Sequence, residues 1–183
     1  MSERNTVLRS MHDVGLAAWF GGSLMGAIGV NGAAGEVDDP RQRSRVANSG
    51  WARWTPVNGA AIAAHAIGGL GLIRANGGRI GGQEGVEAWT WLKTATTLAA
   101  LGATGYSRVL GRRMQAMGDQ PVESGTESTA STPPEVEGAQ RQLRYLQWAI
   151  PALTGSVLVM SAFMGEQQRP NQVLGGVLGR LKP

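Results

Sequence analysis

Three long runs of the chain carry no Asp, Glu, Lys or Arg, at positions 14–35, 54–73 and 145–165. Each is close to the roughly 20 residues a helix needs to cross the hydrocarbon core of a bilayer. A fourth run, 88–111, is apolar between Lys93 near its start and Arg108 near its end. Both charges lie close enough to the ends for their long side chains to reach the headgroup layer. The pattern predicts an all-α integral membrane bundle of four transmembrane helices, at about 14–35, 54–74, 88–111 and 145–165, in a single domain 1–183. A soluble four-helix bundle is the competing reading. A cleavable signal peptide ending near VNGAAG is disfavoured, because the first run is long for such a segment and three more come after it.

Aromatic positions fit the same frame. Trp51 and Trp54 stand at the start of the second run, Trp89 and Trp91 at the start of the third, and Tyr145 and Trp148 at the start of the fourth. Trp and Tyr collect at membrane interfaces, so this clustering is expected of spanning segments. Pro56 and Pro151 each follow one of these tryptophans and are expected in a first helical turn, where a missing N–H costs little. With RQRSR and RQLR preceding them, they hint at two related hairpins.

Mean hydropathy is −0.13, low for such a protein. Part of the cause is the polar segment 118–140, rich in Ser, Thr, Pro and Glu, which is expected to be a disordered loop between the third and fourth helices. Residues 166–183 form a C-terminal tail. The rest of the low value reflects Gly and Ala standing in for larger aliphatics, with 28 glycines in 183 residues. Lys and Arg are spread nearly evenly over the two sides that four spans define, so the positive-inside rule leaves orientation open. Net charge is +4 with a pI near 10.3, but the basic residues flank apolar segments and form no nucleic-acid-binding patch. The chain has no cysteine, which excludes disulfides, thiol catalysis and thiolate metal sites.

The stretch HDVGLAAWFGGSLMGAIGVNGAAG is rich enough in glycine to suggest a phosphate-binding loop. No strand-like run precedes it and no Gly-Lys-Ser/Thr follows, so that reading fails. On a helix, Gly15, Ala18, Gly22, Gly26, Gly29 and Ala33 fall in one stripe. Gly22 and Gly26 form a GxxxG pair, the arrangement that lets two helix backbones approach closely in a bilayer. Gly15, Gly22, Gly26 and Gly29 are therefore the expected helix-packing residues.

Polar residues inside spans are costly and often functional. His65 lies near the middle of the second run, Asn58 two turns earlier on about the same face, and Asn31 near the end of the first. His12 stands at the head of the first run. The structural reading of His65 is a neutral ring hydrogen-bonded to another helix. The functional readings are a metal or haem ligand or a proton relay, with His12, Asn58 and His65 as the possible ligand or polar site. A bis-His haem is disfavoured, because His12 and His65 are expected at different depths. Met160 and Met164 on the fourth run and Met25 on the first could add soft ligands for Cu(I), although ordinary packing explains them. Arg108 is expected to snorkel to the interface. There is no Ser-His-Asp set, carboxylate pair or HExxH motif, hence no catalytic or metal site to assign and no case for an enzyme.

At His12 to Gly22 the chain reads HDVGLAAWFGG: His, six residues, Trp, one residue, Gly-Gly. This resembles the first helix of bacterial four-helix membrane proteins of the copper-resistance-protein-D group and related uncharacterised families. His12, Trp19, Gly21 and Gly22 carry the match, while Asp13 and the long Ser/Thr/Pro loop depart from it. The resemblance implies a small membrane bundle with copper handling as one activity. The leading expectation is a non-enzymatic accessory or interaction subunit of a membrane complex, with no cofactor. It would be multi-pass in the bacterial inner or plasma membrane, its partners being the lipid bilayer and other membrane subunits or a homo-oligomer. The alternative is a transporter or a copper- or haem-binding protein using intramembrane His.

Overall fold

Four long helices follow from the four apolar runs, and each is longer than its run. In the computed structural model, which describes residues 5–77 and 86–166, they are α1 (Thr6–Gly35), α2 (Pro40–Ala75), α3 (Val86–Ala116) and α4 (Pro134–Glu166). The all-helical expectation holds, and α1, α2 and α4 are long and apolar enough to cross a membrane. α3 is long enough but not apolar enough, with Lys93, Arg108 and several threonines in its sequence. The tail beyond Glu166 lies outside the described residues.

Asp39 starts α2 by accepting a hydrogen bond from the Arg41 N–H (2.9 Å), with Pro40 in the first turn. From there α2 runs for 36 residues, so Pro56 sits in its interior, as Pro151 does in α4. The expectation that these prolines open helices is corrected. The polar residues ahead of them join the helices because their other faces pack on the bundle end. Both helices continue through their prolines, and the Thr55 and Thr154 hydroxyls donate to the carbonyls of Trp51 (2.8 Å) and Ile150 (2.8 Å) beside them.

α1 contains a π-helical turn at Gly26–Val30. The wider turn rotates the residues beyond it about the helix axis, and this changes the predicted stripe. Gly15, Gly22 and Gly26 face α2, but Gly29 meets only the Met25 side chain of its own helix and Ala33 is exposed. Gly29 is therefore not a helix-packing residue. Asn31 and Ala34 turn inward in its place.

Neighbouring helices run antiparallel. α1 packs along α2, α3 along α4, and α1 against α4, whereas α2 and α3 share no comparable packing face. One core sits where Leu16 and Trp19 of α1 meet Ala100 of α3 and Val157 and Met160 of α4. A second, at the opposite end, joins Leu110 and Met114 to Val122, Val136 and Ala139.

That second core corrects the expectation of a disordered loop at 118–140. Residues from Pro134 onward belong to α4, and the rest folds over the bundle end. Val122 is fully buried, its N–H donates to the Pro40 carbonyl (3.1 Å), and the Gln140 amide donates to the Ser124 and Glu127 carbonyls (3.1 and 3.2 Å). Arg43 pairs with Glu123 (3.2 Å) and Arg45 with Asp119 (2.8 Å), and the Asp119 carboxylate raises the Arg45 guanidinium above its usual basicity. A low-hydrophobicity segment stays ordered here because its few apolar side chains and backbone groups find partners on α2, α3 and α4.

Candidate functional site

The close approach of α1 and α2 begins at glycine. A Cβ on Gly15 would overlap the Ala61 carbonyl oxygen and come within 2.7 Å of the His65 backbone nitrogen. One on Gly68 would sit 2.5 Å from the His12 nitrogen. This contact lays His12 and His65 together, with ring centroids 4.3 Å apart. The expected depth mismatch is thereby corrected: in an antiparallel hairpin joined by only a few residues, position 12 of one helix meets position 65 of the next. Both rings are buried.

The surrounding groups engage both nitrogens of the His12 ring and Nδ1 of His65. The His65 Nδ1–H donates to the His12 carbonyl oxygen (3.1 Å). The His12 Nδ1–H donates to the Asp13 carboxylate (2.7 Å), and the Lys93 ammonium donates to His12 Nε2 (3.2 Å) and to the Ser161 hydroxyl (3.4 Å). Trp19 stands edge-on to His65 and donates its indole N–H to the Thr104 hydroxyl (3.1 Å). One polar network thus ties all four helices near the end where α1 and α3 begin. Lys93 points into the bundle, so it does not serve merely as a snorkelling interfacial charge.

Toward the other end lies a cleft of about 350 Å³ between α2 and α3. Ser23 and Asn31 of α1, Leu143, Gln147 and Ile150 of α4, and Gly125 and Thr126 of the folded loop close its remaining sides. Asn31 is engaged at both ends of its amide there: its Oδ1 accepts from the Trp51 indole (2.9 Å) and its Nδ2 donates to Gln147 (2.9 Å). Asn58 faces this cleft, not the His pair, and its Oδ1 is buried without a donor among the described residues. The Trp54 indole N–H and the Arg108 Nε–H, also on the cleft, are likewise buried without acceptors among the described residues. Trp51 and Trp54 lay their rings on Gly26 and Gly22, so each packs against α1 as well as standing near the start of its apolar run. Trp91, Tyr145 and Trp148 remain outward-facing.

The sequence reading missed Lys93, Arg108 and Trp54 as interior residues. The signal was present: Lys93, Thr97, Ala100, Thr104 and Arg108 are spaced 4, 3, 4 and 4 apart, a polar stripe on an otherwise apolar helix. Of the expected metal-binding residues, Met160 is buried in the core, while Met25 is exposed and lies about 20 Å along α1 from His12. Among the described residues no three His, Asp or Glu side chains form a metal-holding group. No protein-family model matches the chain, nor does any curated protein or solved structure.

Proposed function

We propose that the chain is a four-span integral membrane protein of the cell membrane that acts non-enzymatically, as an accessory or interaction subunit of a membrane assembly. The observation that carries this reading is the inside-out polarity of α3. Its two charged side chains within the span turn to the interior, while Leu92, Leu98 and Val109 stand exposed, Leu98 by 62%. Charged residues in spanning helices face the bundle interior or a cavity, so α3 behaves as a span despite its composition. Ile28 on α1, Ile67 and Leu70 on α2, and Val159 and Phe163 on α4 give the other helices the same apolar exterior.

The stripe of Gly15, Gly22 and Gly26 is consumed inside the α1–α2 hairpin, so a partner must meet the outer faces. The reading is tested by carbonate extraction followed by photo-crosslinking from Ile28, Ile67 and Leu98. Retention in the membrane pellet and a discrete protein adduct are expected. Release into the soluble fraction contradicts the membrane assignment, and lipid adducts alone at all three positions contradict the subunit role.

The metal or haem reading has one observation in its favour, the contact between the His12 and His65 rings. The donor set does not fit a cation well: both His12 nitrogens are occupied, and the Lys93 ammonium stands on one of them. Titration with Cu(I) and with haemin decides it. Tight binding abolished by His65→Ala would establish the metal reading over the present one.

A further inference from the structure

We propose that the cleft between α2 and α3 is a lateral binding site for an amphiphilic anion, with a carboxylate or phosphate head held by Arg108 and Trp54 and an apolar chain lying toward the bilayer. The inference rests on the membrane reading above.

Its first support is unspent hydrogen-bonding capacity. The Arg108 Nε–H and the Trp54 indole N–H are both donors, both buried and both without an acceptor among the described residues. A guanidinium carries a positive charge, and a buried N–H left without an acceptor is costly. Among the described residues no Asp or Glu lines the cleft to neutralise the guanidinium. An oxyanion supplies what is missing, because guanidinium presents its N–H groups in a fork suited to two oxygens. The unsatisfied Asn58 Oδ1 adds an acceptor for a hydroxyl beside that head.

Its second support is the shape and lining of the space. Ile62, Leu101, Met114, Leu143 and Ile150 make most of the wall apolar, so a small hydrophilic anion would leave it uncovered. The volume of about 350 Å³ lies at the small end of ligand sites, enough for a head and the first part of a chain. α2 and α3 are the neighbouring helices that do not close on each other, and Val57, Tyr106 and Val109 on their outer faces are exposed. A ligand can therefore enter sideways from lipid. Gly59, Gly105 and Gly111 on the cleft have nothing within 4 Å of a would-be Cβ, so the opening is not a close packing contact between helices.

Native mass spectrometry of the detergent-purified full chain tests this with four probes: oleate, oleyl alcohol, phosphatidylglycerol and phosphatidylcholine. At least one anion should bind more tightly than its uncharged or zwitterionic counterpart. A carboxylate preference alone identifies a free fatty acid as the source, and a phosphatidylglycerol preference alone identifies a phospholipid; either supports the site. Arg108→Gln should weaken the preferred anion roughly tenfold or more, the usual effect of losing a charge-assisted hydrogen bond. Trp54→Phe removes the second donor without altering charge, and should weaken the same anion while leaving oleyl alcohol unchanged; it decides the matter if Arg108→Gln does not fold. Equal binding of anions and their counterparts, or undiminished anion binding by a folded variant, overturns the proposal. Membrane retention with no anion preference fails this site alone, whereas recovery in the soluble fraction fails the membrane reading with it.

Discussion

The two ends of the bundle handle buried polarity in opposite ways. Around His12, helices α1 and α2 touch backbone to backbone at Gly15 and Gly68, the Lys93 ammonium joins the His12 and Ser161 side chains, and His65 bonds the His12 carbonyl. Around Arg108, α2 and α3 stand apart, and the Trp54, Asn58 and Arg108 polar atoms on the cleft are buried without partners among the described residues. The first arrangement fixes helix positions. The second keeps hydrogen-bonding groups in reserve, which is what a binding site does and a purely structural seam avoids.

The sharpest way to break this comparison is to add one methyl group at each end. Gly15→Ala drives a Cβ into backbone atoms of α2 that cannot move aside alone, and should destabilise the protein by about 2 kcal/mol or more. Gly105→Ala adds the same methyl into open space and should leave stability unchanged or raise it by up to about 1 kcal/mol through helix propensity. Thermal melting of both variants in one detergent is the check; equal losses would erase the distinction.

Asparagine offers the next contrast. Asn31→Leu strands the Trp51 indole and Gln147, and should cost about 1–3 kcal/mol in the same melt. Asn58→Leu removes an acceptor that has no donor, and should be neutral or stabilising in the absence of ligand. The smallest expected effect is at the folded loop. Arg45→Ala breaks an exposed ion pair with Asp119 and should not shift the melting midpoint measurably, while limited proteolysis of the loop stays slow because Val122 and Gln140 still hold it.

These contrasts also show which features were readable from the chain. The four helices were, because hydrophobic runs of spanning length leave a periodic pattern few other structures share. The glycine contacts were readable through Gly26 and no further, since a π-helical turn inserts one residue and leaves no composition signal of its own. Arg108 and Lys93 were visible as charges near helix ends, yet end position alone does not separate a snorkelling side chain from an inward one. Their spacing with Thr97 and Thr104 does. The meeting of His12 with His65 required the tight α1–α2 connection, which places residues far apart in sequence at one depth. The order of the loop at 118–133 depended on Val122 reaching a core formed by α3 and α4, a tertiary contact that low hydrophobicity conceals.

The central claim is that α3 spans the membrane with its charges inside and its aliphatic face on lipid. Because the chain has no cysteine, single-cysteine variants along α3 can each carry one spin label without background. In liposomes, a label at Leu98 should show high collision rates with oxygen and low rates with a water-soluble nickel chelate, and labels at Leu92 and Val109 should follow it. Free access of the nickel chelate to Leu98, equal to that at a loop position such as Glu123, would contradict the account.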